Sequence, residues 1–192
     1  TVSIVTVLLV GIAINALAGV GIGFFQYISD DSQLRTLTFW MMGSLGRADW
    51  SSLVPGAVLM LVAFVLLIQT HRSLDLLQLG EPEAEFMGVE VAYLKKKIIF
   101  ASAVGVGAAV SLAGMIGFIG LVVPHLVRFL FGVTHRALMY GSVVVGAALL
   151  MLADTVARIA IPPAEIPVSL ITSAIGAPFF LWLIVRDRAL WR

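Results

Sequence analysis

IIFASAVGVGAAVSLAGMIGFIGLVVPHLVRFLF, residues Ile98 to Phe131, holds no acidic residue, and its only basic groups are His125 and Arg128. At 1.5 Å per residue a single α-helix of this stretch would run about 50 Å. One span crosses only about 30 Å of hydrocarbon. The run is therefore expected to fold back on itself, with Gly114, Gly117 and Gly120 marking the bend. The flanking cations make the same demand, because Lys95, Lys96 and Lys97 before the run and Arg128, His135 and Arg136 after it should share the cytoplasmic side. Two crossings satisfy both requirements.

The rest of the 192-residue chain follows this pattern. Hydrophobic residues make up 60% of it and charged residues 12%, against about 25% charged in an ordinary soluble domain. Lipid is the main solvent, and spans are predicted at 1–28, 52–70, 92–113, 115–132, 137–159 and 168–185. Backbone groups in hydrocarbon must be satisfied within each segment, so the fold class is all-α, a polytopic transmembrane helical bundle. Residues 31–45, with Arg35, Trp40, Met41 and Met42, read as a short amphipathic helix at an interface, and Trp50 is a second anchor. Gly11, Gly19, Gly21 and Gly23 in the first span would let a neighbouring helix approach closely. The chain opens at Thr1 inside an apolar run with no charged region before it, which predicts a missing N-terminal part and not a signal peptide.

Sorting Lys and Arg by side puts Arg72, Lys95, Lys96, Lys97, Arg128, Arg136, Arg186, Arg188 and Arg192 on one face and Arg35, Arg47 and Arg158 on the other. The richer face is cytoplasmic, as is the C-terminus. The aqueous stretch after the second span contains Asp75, Glu81, Glu83, Glu85 and Glu90, and within it Leu74, Leu76, Leu77 and Leu79 give way to Gly80 and Pro82, then Ala84, Phe86, Met87 and Gly88. Two short helices separated by a turn suit that pattern.

A net charge of +1, with cations beside apolar runs, leaves no basic patch for nucleic acid. Cysteine is absent, which removes disulfides, thiolate catalysis and cysteine metal sites from consideration. No HExxH, phosphate loop, nucleophile elbow or intramembrane carboxylate pair occurs, so the chain is not expected to be an enzyme. His125, deep in an apolar run, reads either as a metal or haem ligand or as a hydrogen-bonded structural residue; partner ligands are lacking nearby. Asp154 and Arg158, four apart on one helical face, read either as an interfacial ion pair or as a functional site.

GMIGFIGLVVPHLVRFLFG at Gly114 to Gly132, followed by THRAL, LLMLADTVAR and PPAEIPVSLITSAIGAPFFLWLIVR, resembles the FecCD family of permease subunits from ATP-driven importers of iron chelates and cobalamin. The likeness extends back through LQLGEPEAEFMGVEV at Leu77 to Val91 and FWMMGSLGRADW at Phe39 to Trp50. Family members have ten spans, so the resemblance implies that this chain is about six spans of a ten-span permease, from the fifth onward. It implies that residues 74–88 form the coupling element that seats on the ATPase subunit, through Leu74, Leu77, Leu79, Gly80, Glu81, Ala84, Met87 and Gly88. It also implies that Asn15, Gly19, Met41 and Met42 line the translocation pathway, and that Arg158 docks a carboxylate of the periplasmic substrate-binding protein. The implied partners are a second permease copy in a homodimer, two ATPase subunits carrying ATP and Mg, the binding protein and membrane lipid, all at the bacterial inner membrane. No cofactor is implied on this chain itself. Ser169, Met87, Pro82 and Glu85 depart from the family's usual residues, and the last two bear on which ATPase surface is accepted. The expected cargo is an iron chelate, haem or a ferric siderophore, with cobalamin as the alternative. An ion-coupled secondary transporter or a membrane enzyme would need charges or convergent polar ligands at mid-span, and only Asp154 with Arg158 comes close.

Overall fold

The computed structural model describes residues 4–46, 49–161 and 166–190; Arg47, Arg192 and positions 162–165, between the spans expected at 137–159 and 168–185, lie outside them. The regular elements among the described residues are all helices, with no strand among them: α1 Ile4–Ile28, α2 Asp31–Met41, α3 Trp50–Ile68, α4 His71–Leu77, α5 Glu81–Phe86, α6 Val91–Ala113, α7 Ile119–Phe131, α8 His135–Ile159 and α9 Val168–Leu190. By length and apolar composition, α1, α3, α6 and α8 suffice to cross a membrane, while the apolar parts of α7 and α9 are shorter. The chain divides into two compact units, one ending at Met41 and one beginning at Met42.

In the first unit α1 is an uninterrupted apolar helix whose Leu17 and Val20 are exposed, as side chains bathed in lipid should be. It stops where Asp30 opens α2 with a reciprocal cap. The Asp30 Oδ1 accepts from the Gln33 backbone N–H at 2.8 Å, and Gln33 Oε1 accepts from the Asp30 N–H at 3.2 Å, so two otherwise orphaned donors are satisfied. Arg35 lies over the Phe39 ring at 5.7 Å, a cation–π contact within the amphipathic helix.

The second unit is held by close helix approach. An added Cβ at Gly56 would stand 2.5 Å from Leu112 Cδ1, and one at Gly105 would stand 3.1 Å from the Ala63 Cβ. Between those contacts one index rises by seven while the other falls by seven, so α3 and α6 are antiparallel and in register through small residues. The same device joins α7 to α8, where a Cβ on Gly141 would meet Val127 Cγ1 at 2.6 Å and one on Gly146 would reach Val123 at 3.7 Å. Lipid supplies no hydrophobic drive for helix association, so van der Waals packing over small residues has to provide it. Ala153 and Ala157 of α8 and Val168 of α9 form a further buried cluster.

The fold-back after α6 departs in detail from the glycine pattern. Helix α6 stops at Gly114, with φ +72°, and α7 starts after Phe118, with φ +63°. Gly117 and Gly120 are not in the left-handed region. Phe118 holds that conformation because its carbonyl accepts from both Leu121 and Val122, and because Gly176 of α9 has no Cβ where Phe118 Cβ presses in at 2.5 Å. Only 13 residues of the expected 115–132 segment are helical, about 20 Å.

Gly43 ties three chain ends together. Its carbonyl accepts from Val168 N at 3.2 Å, and the next amide, Ser44 N, donates to Ala113 O at 2.9 Å. Its φ is +73°, and a Cβ there would stand 3.1 and 3.2 Å from the carbonyl oxygens of Met115 and Ala113. Gly43→Ala is therefore expected to cost about 1–3 kcal/mol, read as a lower thermal midpoint of the intact protein in detergent. Gly146→Ala, whose new methyl meets Val123 at ordinary contact distance, should be neutral. Equal midpoints for the two variants would contradict the junction.

Candidate functional site

The polar stretch between α3 and α6 folds into α4 and α5 with a turn between, as the leucine, Gly80 and Pro82 pattern requires. Pro82 sits in the first turn of α5, where no donor is lost, and Glu81 and Glu83 occupy the same turn, where acids suit the helix dipole. Gly80, with φ +126°, makes the reversal, and the Glu83 carboxylate fills the place where its Cβ would be. Ala84 is fully buried, and Leu74 and Leu77 are half-buried. Around the turn, Leu79 is 60%, Phe86 97% and Met87 57% exposed, an apolar tip on an element that is otherwise charged and solvated. Gly88, φ +88°, ends it.

Two polar contacts fix this tip to the bundle. The Lys95 Nζ donates to Glu81 Oε1 at 2.6 Å, tying α5 to α6. Asp75 Oδ1 accepts from the His135 backbone N–H at 2.9 Å and from its Nδ1 at 2.7 Å, tying α4 to the first turn of α8. The sequence offers no local signal for this second contact, because the partners are 60 residues apart. The backbone N–H of His135 first, and its ring second, hold the Asp75 carboxyl below its ordinary value of 3.8, against a smaller opposing effect of burial.

At the far end of α8, Arg158 Nε donates to Asp154 Oδ2 at 2.8 Å, one helical turn away. Asp154 thereby orients the guanidinium near the helix end. A small apolar cavity of about 130 Å³ lies among α7, α8 and α9, lined by Phe118, Val122, Leu152, Val156 and Ile175. His125 spends its Nδ1 on Leu121 O at 2.7 Å and meets the Phe180 ring edge-on. Asn15 and Gly19 share one exposed face of α1, and Met41, the last residue of α2, accepts from Gln26 Nε2. Met42 begins the second unit and is half-buried.

The short helical pair, the GMIGFIG fold-back and the Arg158 helix end together invite comparison with known permeases. The model of the FecCD transport family matches residues 1–186. The chain belongs to the FecCD transport family. Among similar proteins of known role, the hemin transport system permease protein HmuU of Yersinia pestis is 52% identical over 181 residues, 94% of this chain and 54% of that protein. The vitamin B12 import system permease protein BtuC of Vibrio parahaemolyticus is 44% identical over 180 residues, again 94% of this chain and 54% of that protein. A solved inward-facing conformation of a metal-chelate type ABC transporter is 37% identical, with a TM-score of 0.88 over 96% of this chain and 60% of that one. The FecCD chain thus spans about half the length of the curated relatives it matches, and the resemblance read from its motifs holds along nearly all of it.

The Asp75 contact has a pH signature. A folded-state pKa below the unfolded one gives stability that is complete above the unfolded value and is lost as pH falls through the folded one. In the intact protein the thermal advantage of wild type over Asp75→Asn should shrink as pH falls below the ordinary carboxylate value. A gap that stays constant through the acid range would show that the carboxylate charge contributes nothing to the link.

Proposed function

We propose that this chain is part of the membrane-spanning permease of an ATP-driven importer that carries an iron chelate, haem first, from periplasm to cytoplasm. The observation that carries the reading is the α4–α5 pair, an apolar tip clamped to the bundle at Asp75 and Glu81, on a chain 52% identical to a hemin permease. Leu79, Gly80, Glu81, Met87 and Gly88 form the surface that seats on an ATPase subunit, with the half-buried Leu74 and Leu77 and the buried Ala84 packed behind it. ATP and Mg stay on that partner, and the permease catalyses nothing itself. Closure of the two ATPase subunits pushes the tip and rocks the spans as rigid bodies, opening the pathway alternately to each side. A second permease copy encloses the pathway, with Asn15, Gly19, Met41 and Met42 in its wall. The protein sits in the bacterial inner membrane with its C-terminus in the cytoplasm, the side richer in Lys and Arg.

Arg158, held by Asp154, offers a charge-assisted contact to a carboxylate of the periplasmic binding protein. Such contacts suit a transient partner. Cobalamin is the second reading of the cargo, favoured by the 44% identity to a vitamin B12 permease.

Two measurements test these roles. Reconstituted with its ATPase and binding protein, the full permease should take up haem in an ATP-dependent manner and in preference to cobalamin and ferric siderophores. Uptake that needs no ATP would refute an ATP-driven importer, and a preference for cobalamin would replace the cargo. Arg158→Glu should weaken capture of the loaded binding protein on the order of tenfold while the ATPase still assembles; unchanged capture in a pull-down would remove Arg158 from the docking surface.

A further inference from the structure

We infer that Asp75 is a positioning residue that transmits movement of the α4–α5 tip to the opposite end of α8. This inference rests on the importer reading above and gives the Asp75 contact a role beyond holding the tip in place. Asp75 is not on the apolar tip. Its carboxylate faces α8, where one oxygen takes both the backbone N–H and the ring Nδ1 of His135. His135 is the first residue of α8, and Thr134 before it caps the helix by accepting from the Ala137 N–H. The contact therefore grips the backbone of α8 at its end as well as a side chain. The side chain of Gln78, at the end of α4, stands 3.0 Å from the same ring nitrogen.

From that grip α8 runs unbroken for 25 residues without proline, about 37 Å. Along the way it is keyed into its neighbours at Gly141 against Val127 and at Ala153 and Ala157 against Val168. Near its last turn it carries the Asp154–Arg158 pair, and the Ala157 carbonyl accepts from Ile166 N. A rigid element gripped at one end and bearing the docking arginine at the other is a strut between the two faces. Displacing α4 pulls on α8 directly, without passing through α6 or α7. The grip does not need a charged imidazole, because a neutral ring with its proton on Nδ1 can also donate to the carboxylate.

Coupling between the two faces supplies the test. If the strut links the faces, docking of the loaded binding protein outside changes ATP hydrolysis inside, and loss of the grip lowers that response. In the full permease–ATPase assembly in proteoliposomes, Asp75→Ala should still retain the ATPase, but the stimulation of hydrolysis by loaded binding protein should fall on the order of tenfold. ATP consumed per substrate carried should rise. Asp75→Asn keeps an acceptor oxygen for the His135 N–H and should recover part of the stimulation. His135→Ala keeps its backbone donor and should lose less than Asp75→Ala, and adding it to Asp75→Ala should cost little more, as for two members of one contact.

Stimulation at the wild-type level in Asp75→Ala would overturn the inference. So would an equal fall in hydrolysis with and without binding protein, since a purely structural role lowers both alike. Should Asp75→Ala fail to assemble, Asp75→Asn and His135→Ala decide the matter by the same ratio. Wild-type protein that hydrolyses ATP without carrying any chelate or cobalamin would instead sink the importer reading.

Discussion

A peptide group inside hydrocarbon has nothing but the protein to bond to, and the breaks between helices show how this chain meets that constraint. The apolar run from Ile98 to Phe131 must turn back, yet a turn exposes amides and carbonyls. Ala113 O is taken by Ser44 N, Gly43 O by Val168 N, and Phe118 O by the first amides of α7. Chain ends distant in sequence are thereby stitched into one junction. Its cost is backbone in the left-handed region at Gly43, Gly114 and Phe118. Two of these are glycine, and the third stands only because Gly176 leaves room beside it.

Once the breaks are closed, the spans still need a reason to associate. Small residues meet at Gly56, Gly105 and Ala63 between α3 and α6, and at Gly141 and Gly146 between α7 and α8. Larger side chains at these places would separate the helices and lose the close contacts that substitute for a hydrophobic drive. Among the described residues, ion pairs lie toward the ends of spans: Asp75 with His135, Glu81 with Lys95, Asp154 with Arg158.

Much of this was legible in the residues. The all-helical membrane fold followed from run length and charge, the fold-back from a run too long for one span, and the paired short helices from leucines interrupted by Gly80 and Pro82. The FecCD motifs carried the family. The location of the left-handed residues was not legible, because Phe118 adopts its conformation through a glycine 58 positions later. The Asp75 contact was equally hidden, since an aspartate in a polar stretch looks like any solvated charge until the fold brings His135 to it. Local pattern reports period and punctuation; contacts across 60 residues depend on helix packing that single-residue patterns do not encode.

The proposed roles require opposite ends of one bundle to face opposite compartments, with the α4–α5 tip inside and the Arg158 end of α8 outside. Sidedness can be measured directly by introducing a single cysteine at Leu79 or at Ile161, both exposed, and treating intact spheroplasts with a membrane-impermeant thiol reagent. Ile161→Cys should react at once, and Leu79→Cys only after the membrane is permeabilised. Labelling of Leu79→Cys from outside, or protection of Ile161→Cys until permeabilisation, would contradict the orientation and the roles built on it.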